Sequence, residues 1–233
     1  MAAYLARQID IDSLLGVPIS PATVPVIESH GPVIAFAEDK ALMFTYPQTL
    51  DALRAAGAQC IPFSPLRDAQ LPSHTQGVWL GGGYPELHAE QLEANVSLRA
   101  NIADAVAAGM PVYAECGGYM YLGKSLRTKE RAFSMCGALN GETRIDKPAL
   151  TIGYRSLTTL GATPIDASGS ALRAYEFHYA QGEFHEAPAY AVLGQADAGA
   201  RRNNTLASFH HRRFYTGDIA TCRFVEACSH FSR

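Results

Sequence analysis

The chain has 233 residues, of which 48% are hydrophobic and 18% are charged, and its formal net charge is -3. This balance is typical of a globular domain with a sizeable core and argues against disorder. The near-neutral charge, without a run of Lys or Arg, excludes an electrostatic footprint for nucleic acid or an anionic membrane. The sequence shows neither an apolar stretch of ~20 residues nor a signal-peptide pattern, so we expect a cytoplasmic location.

The first 31 residues differ from the rest of the chain in their pattern of apolar residues and prolines. The segment YLARQIDIDSLL has helical apolar spacing, and four prolines follow it before residue 33. Because proline interrupts regular structure, this pattern predicts the end of a helix and a Pro-rich linker, attached to an upstream domain. We place the boundary so that residues 1–31 form the linker and 32–233 form one domain.

From Val33 onward, segments of strand and helix type alternate. A buried strand is predicted over Val33–Ala37, and the next segment, PQTLDALRAAG, predicts a helix with Pro47 in its first turn. AQCIPFSP and GVWLGGGYP indicate two further strands. Residues 86–109 are helical with a break near Asn95, PVYAE is the next strand, and GGYMYLGKSL the next helix. Such alternation predicts a parallel sheet covered by helices on both faces.

After Arg131 the pattern changes to short strand-like segments. These are FSMCGALN, LTIGYRSLTTL, ALRAYEFHYA and YAVLGQA, while GQADAGARRNN indicates an exposed loop. Turn residues separate them, and helical periodicity is weak. The fold class predicted is therefore mixed α/β: a mainly parallel sheet flanked by helices, with additional antiparallel or edge strands in the C-terminal half.

The stretch VYAECGGYMYL carries the strongest chemical signal. A strand ends at Cys116, two glycines follow, and a helix begins, which is the pattern of a nucleophile on a sharp strand-to-helix turn. The helix N-terminus favours a thiolate, and the N–H of Gly117 is placed to hold an oxyanion. The alternative is a small core cysteine. We assign that role to the other four cysteines, which lack any C-x-x-C pair: Cys60, Cys136, Cys222 and Cys228.

The second signal is the glycine-rich turn in WLGGGYPE, Trp79 to Glu86. Three glycines after a strand expose backbone N–H groups, which cradle an anion or oxyanion. The segment matches neither G-x-x-x-x-G-K-[ST] nor G-x-G-x-x-G, so we expect no nucleotide cofactor here. A purely structural tight turn is the alternative.

A cysteine nucleophile needs a base, and histidine suits this role. LASFHHRRFY predicts a strand that ends at His210 and His211, and the residues alone do not separate the two. A metal site built from these two with His178 and His185 lacks regular ligand spacing, so no metal is expected.

The segments PVIAFAEDKALMFTYPQTLDALRAAG, GVWLGGGYPELHAEQLEANV, PVYAECGGYMYLGKSL and ASFHHRRF resemble one known family. They are similar to the C-terminal glutaminase domain of the cobyrinic/hydrogenobyrinic acid a,c-diamide synthase family, a class I (triad) glutamine amidotransferase. The resemblance covers nearly the whole chain and implies a flavodoxin-like fold. It also implies an enzyme that hydrolyses glutamine through a cysteine thioester and releases ammonia.

The resemblance implies a division of labour with a second unit. An ATP-dependent amidoligase with Mg²⁺ activates the a and c carboxylates of the corrin ring in cobalamin biosynthesis. Because this chain has no phosphate loop, ATP and Mg²⁺ are expected only in that unit, and no cofactor is expected here. The expected partners are glutamine and an amidoligase domain or subunit, and a homodimer is a candidate assembly.

Residue by residue, Cys116 matches the family nucleophile. Gly82 and Gly83, together with the N–H of Gly117, match the region that binds the oxyanion and glutamine. The family motif of an aromatic residue, any residue and histidine places the base at His211 rather than at His210.

Two departures from the family pattern concern the base. Many triad glutaminases have a glutamate two residues after the histidine, where this chain has Arg213. Glu176, in YEFHY, is the candidate orienting group in its place. Arg212 and Arg213 are expected either to lower the pKa of the imidazole by like-charge proximity or to contact a partner.

Two other functions remain open from the sequence. One is a glutaminase-like binding module with a decayed site that docks on an amidoligase, for which the unusual HHRRF is the motive. The other is a different cysteine hydrolase or a redox sensor built on the same strand-to-helix turn.

Overall fold

A computed structural model describes residues 31–232 of the chain. The helix and Pro-rich linker predicted over residues 1–31 therefore lie outside the described residues, except for Gly31. Within the described part, the predicted mixed α/β class is confirmed. One six-stranded sheet carries helices, and two four-stranded sheets are built from the C-terminal half.

Fourteen strands and five α-helices make up the described part of the chain. The strands are β1 Val33–Ala37, β2 Gln59–Phe63, β3 Thr75–Leu80, β4 Val112–Glu115, β5 Ser125–Arg127, β6 Ala132–Ser134, β7 Gly141–Arg144, β8 Thr151–Thr159, β9 Ala171–His178, β10 Gln181–Phe184, β11 Tyr190–Val192, β12 Ala200–Arg202, β13 Thr205–Ser208 and β14 His210–His211. The helices are α1 Pro47–Ala55, α2 Ala89–Ala94, α3 Val96–Ala107, α4 Gly117–Leu122 and α5 Ile219–Ser229, and a 3₁₀ helix spans Pro85–His88.

The central sheet has the strand order β12-β13-β4-β3-β1-β2. All its neighbouring strands are parallel except the β12–β13 pair at one edge. The inner strands β1 and β4 are buried along their whole length, as expected for apolar runs covered on both faces. Two separate clusters of buried apolar side chains result, and helices contribute to both of them.

Local signals explain where the helices begin and end. Pro47 lies in the first turn of α1, where its missing N–H costs no hydrogen bond. The predicted break near Asn95 is confirmed, because the Asn95 side chain accepts a hydrogen bond from the Leu98 amide at 3.3 Å and caps α3.

The two smaller sheets have the orders β10-β7-β5-β6 and β11-β8-β9-β14. Their pairings are antiparallel except that of β5 with β7, so the predicted antiparallel character of this half is confirmed. The long hairpin β8–β9 carries the short β14 at its edge, in the register His211 opposite Tyr175. This pairing brings His210 and His211 to the edge of the central sheet.

Several sequence-based boundaries were wrong. The helix predicted over GGYMYLGKSL ends at Leu122, because Gly123 adopts an extended conformation and β5 begins two residues later. The segment GQADAGARRNN contains the edge strand β12, whose pairing with β13 no local pattern reveals. Helix α5 was not predicted. Within residues 31–232, no helix is long and apolar enough to cross a membrane.

Gly118, at the start of α4, provides a test of the close packing between this helix and the sheet. A Cβ atom at Gly118 would lie 2.5 Å from the Leu80 carbonyl oxygen, which cannot yield as a flexible side chain could. We expect Gly118→Ala to lower the free energy of unfolding by about 1–3 kcal/mol, although alanine is the better helix former. Urea unfolding measures this change.

Ser97→Ala on the exposed face of α3 is the control, and we expect it to change stability by less than about 0.5 kcal/mol. Unchanged or higher stability of Gly118→Ala would show that α4 does not pack this tightly against β3.

Candidate active site

The nucleophile candidate lies on a strained turn between β4 and α4. Cys116 has φ 46° and ψ -102°, a conformation that residues with a side chain rarely adopt. Its backbone amide donates to the Ser208 carbonyl at 2.8 Å, and its carbonyl accepts from the Met120 amide at 3.0 Å. These bonds tie the turn to β13 on one side and to α4 on the other. The thiol therefore projects from the carboxyl edge of the sheet, as the sequence pattern predicts.

The glycine-rich turn after β3 packs directly against this elbow. A Cβ atom at Gly117 would lie 2.8 Å from the backbone nitrogen of Gly83, and one at Gly83 would meet the Ala41 carbonyl oxygen. Neither the Gly83 nor the Gly117 amide donates a hydrogen bond to another described residue. Two neighbouring backbone donors are thus left for an oxyanion beside the Cys116 sulfur.

His211 reaches the same place from β14. A Cβ atom at Gly82 would lie 3.0 Å from Cε1 of the His211 imidazole, so the ring rests against the glycine turn. Burial disfavours the charged imidazole, but the adjacent Cys116 and Glu115 side chains outweigh it and raise the pKa of His211 to about 10. A protonated His211 is therefore stabilised next to Cys116.

The carboxylate beside His211 belongs to Glu115, the residue before the nucleophile. Its Oε2 lies 3.4 Å from Nδ1 of His211, and its side chain is buried. The Tyr113 hydroxyl donates to Oε1 at 2.6 Å, and the Arg212 amide donates to the same oxygen at 3.0 Å. The carboxylate is therefore held in place by two donors while its second oxygen faces the imidazole.

Glu176, the candidate orienting group from the sequence, lies with other partners. Its Oε1 is 3.0 Å from Nε2 of His178, and its Oε2 is 2.7 Å from Nε of Arg155. In the β9–β14 pairing Glu176 is opposite His210, not His211. The structure therefore corrects this expectation: strand alternation directs Glu176 away from the imidazole that Glu115 contacts.

Phe177, which follows Glu176 in β9, forms part of the wall around the thiol. Cys116 Sγ lies 3.9 Å from the Phe177 carbonyl oxygen, and His178 Nδ1 lies 2.7 Å from the Ala180 carbonyl oxygen. The His178 ring stacks on Phe209 with centroids 4.1 Å apart. Arg155, Glu176 and His178 thus fix the end of β9 over the cysteine.

The thiol and the imidazole face a shared cavity of about 250 Å³. Aromatic side chains form much of its wall, together with a few polar groups. The residues lining it include Phe44, Tyr46, Gly83, Tyr84, Glu86, Cys116, Tyr175, Phe177, His178 and His211. This combination of an apolar wall and a few polar groups is typical of a small-molecule site.

His210 and the four cysteines other than Cys116 do not line this cavity. His210 is buried, and burial lowers its pKa to about 4, so a neutral ring is favoured. Within residues 31–232, no group of three or more His, Cys, Asp or Glu side chains is placed to hold a metal ion. Cys136 and Cys228 are buried, as predicted, whereas Cys222 is exposed, so the core assignment was wrong for Cys222.

The two arginines after His211 do not lower its pKa. Arg212 forms an ion pair with Asp166, and its guanidinium lies 5.4 Å from the Phe214 ring centroid. The pKa of His211 is raised, so the alternative of like-charge suppression is wrong. Arg213 is exposed and lines a second cleft beside the imidazole.

Sequence reasoning missed the role of Glu115 and Tyr113. A signal was present, because a carboxylate at the end of an apolar strand, directly before a cysteine, calls for a buried partner. Period-two alternation also places residues 113 and 115 on one face of β4. Their approach to His211 depends on the pairing of β13 with β4, which no local pattern specifies.

The fold and this site define a class of protein. Two solved glutamine amidotransferases have the same fold. One, from Thermotoga maritima, has a TM-score of 0.57 and 14% identity over 85% of this chain and 82% of its own. The other has a TM-score of 0.58 and 15% identity over 85% of this chain and 99% of its own. The predicted class I, flavodoxin-like fold is thereby confirmed.

The family follows from the sequence comparisons. Residues 33–218 match the model of the CobB/CobQ-like glutamine amidotransferase domain, and the chain belongs to this family. The cobyrinate a,c-diamide synthase of Caldanaerobacter subterraneus is 36% identical over 99% of this chain and 54% of its own length. That of Salmonella typhimurium is 34% identical over 91% and 50%. The chain spans about half the length of the curated relatives it matches.

The raised pKa of His211 predicts how stability depends on pH. The folded protein retains a proton that the unfolded chain releases near pH 6.5, and it releases that proton only near pH 10. The stabilisation is therefore complete below pH 6.5 and is lost as the pH rises through 10. We expect the free energy of unfolding in urea to decline more steeply between pH 6.5 and pH 10 for the native chain than for His211→Asn. Parallel curves would contradict the contact with Glu115 and Cys116.

Proposed function

We propose that this domain hydrolyses glutamine and supplies ammonia for an amidation reaction. The observation that carries the proposal is the convergence of Cys116, His211 and Gly83 on one cavity, with Gly117 packed against Gly83. A nucleophile, a base and two oxyanion donors are the parts that acyl transfer from a carboxamide requires.

The proposed chemistry proceeds in two halves. His211 holds the proton of the thiol as an imidazolium, and the Cys116 thiolate attacks the carboxamide carbon, so that a C–S bond forms. The Gly83 and Gly117 amides donate to the oxyanion of the tetrahedral intermediate. His211 then returns its proton to the nitrogen, the C–N bond breaks and ammonia leaves. Water, deprotonated by His211, attacks the thioester, the C–S bond breaks, and glutamate is released.

Glu115 acts through His211 in this proposal. Its carboxylate holds the imidazole in orientation and stabilises the charged form, while Tyr113 and the Arg212 amide fix the carboxylate. The three side chains Cys116, His211 and Glu115 then form a triad in which the acid precedes the nucleophile by one residue. The triad does not use Glu176.

The ammonia acceptor belongs to a second unit in this proposal. Relatives named cobyrinate a,c-diamide synthase are about twice as long as the matched region. Their remaining half suits an ATP- and Mg²⁺-dependent amidoligase that amidates the a and c carboxylates of cobyrinic or hydrogenobyrinic acid in cobalamin biosynthesis. We propose that this chain serves such a unit, either as a domain or as a subunit.

A second cleft, beside the small cavity, is the proposed docking surface for that unit. It has a volume of about 1150 Å³, and His211, Tyr46 and Tyr175 line both it and the smaller cavity. Tyr154, 73% exposed, and Arg213 lie on the side of the cleft facing solvent. Exposed aromatic and arginine side chains beside a catalytic base fit a protein interface through which ammonia leaves.

The other candidate functions find less support in this geometry. A decayed binding module has no need of a base next to the thiol or of two open amides beside it. A redox sensor needs an exposed sulfur, whereas Cys116 is 8% exposed and faces an aromatic cavity.

The nucleophile is tested by Cys116→Ala. We expect ammonia release from glutamine to fall at least about 10⁴-fold, because no other group forms the thioester. Cys222→Ala, which removes an exposed thiol, is the matched control and should keep full activity. Circular dichroism checks that both variants fold. Turnover by Cys116→Ala equal to that of the native chain would exclude the proposed function.

The second cleft is tested by Tyr154→Ser in the complete protein with its amidoligase. We expect glutamine-dependent amidation to fall about tenfold while glutamine hydrolysis alone is unchanged, since a central interface tyrosine contributes 1 kcal/mol or more. Val96→Ser, an exposed apolar position that does not line the cleft, is the control. Equal amidation by both variants would place the interface elsewhere.

A further inference from the structure

Glu86 is a charged residue of the small cavity that the proposed reaction does not use. It lies in the 3₁₀ helix Pro85–His88, three residues after Gly83, whose amide faces the thiol. The side chain is partly buried and lines the same cavity as Cys116 and His211. The backbone thus fixes Glu86 at a short distance along the chain from the oxyanion donors.

Within the described part of the chain, the Glu86 carboxylate is partly buried without a cationic side chain beside it. Burial raises the pKa of Glu86, although its own backbone amide and the charge of His88 oppose this. Within residues 31–232, no Lys, Arg or His nitrogen lies within 4.0 Å of its oxygens. A partly desolvated carboxylate without a cation is unfavourable, and such groups cluster at ligand sites.

The other carboxylates near the cavity are already paired. Glu115 faces His211 and accepts from the Tyr113 hydroxyl, and Glu176 lies between His178 and Arg155. Glu86 therefore differs from both in that its charge is left for a group entering the cavity.

We propose that Glu86 binds the α-ammonium group of the glutamine substrate. This inference rests on the proposed function, because it concerns the same cavity. The reacting carboxamide is held at Cys116, and an α-amino acid carries its ammonium at the opposite end of a short side chain. A carboxylate on the wall of the same cavity selects a substrate with that cation and rejects an amide that lacks it. Charge-assisted hydrogen bonds of this type give strong discrimination because both groups are partly desolvated.

A substrate analogue separates this role from a general effect on the site. Glutaramate (5-amino-5-oxopentanoate) retains the carboxamide and the carboxylate of glutamine and has hydrogen in place of the ammonium. The test compares kcat/KM for ammonia release from glutamine and from glutaramate, using the complete native protein and its Glu86→Gln variant. The native protein should prefer glutamine about 10- to 100-fold, as expected for a charged hydrogen bond.

In Glu86→Gln, kcat/KM for glutamine should fall by a similar factor, mainly through KM, while that for glutaramate stays constant. The preference then approaches one. Glu90→Gln is the matched control, because Glu90 lies on the next helix, is exposed and does not line the cavity. It should keep the native preference.

Two results would overturn the inference. One is a native protein that uses glutaramate as well as glutamine, a measurement that requires no variant. The other is an equal loss on both compounds in Glu86→Gln, which would assign Glu86 to the shape of the site. Neither result affects the proposed function, which fails only if the native protein releases no ammonia or if Cys116→Ala releases it at the native rate.

Discussion

The site depends on one buried interaction, the contact of the Glu115 carboxylate with the His211 imidazole beside Cys116. Glu115 and Cys116 are consecutive residues at the end of β4, whereas His211 arrives from β14, almost one hundred residues later. The pairing of β13 with β4, with Ser208 opposite Glu115, sets the position of that imidazole. If β13 were shifted by one residue along β4, the β13 side chains next to Glu115 would point to the other face of the sheet.

The glycine turn after β3 serves the same arrangement by leaving room. At Gly83 a Cβ atom would collide with the Ala41 backbone, and at Gly82 it would lie only 3.0 Å from the imidazole, so glycine at these positions permits the close approach. The strained backbone of Cys116 is held by hydrogen bonds to two neighbouring elements. Packing around the elbow therefore offsets the cost of presenting the sulfur at the sheet edge.

The sequence was sufficient for those parts of the molecule that local patterns specify. The alternating strands and helices of the first half, the break at Asn95 and the elbow at Cys116 all follow from nearby residues. The edge strand β12 and the carboxylate beside His211 did not, because both depend on pairing between distant strands. Glu176 was misjudged for the same reason, since its neighbour in the sheet is His210.

The position of His211 between the small cavity and the wide cleft has a thermodynamic consequence. A molecule that settles in the cleft and shifts this ring also changes the affinity of the cavity for its ligand. By linkage, occupation of the cavity then changes the affinity of the cleft by the same factor. The same imidazole ring forms part of the wall of both compartments, so a ligand that contacts it in one lies against the boundary of the other.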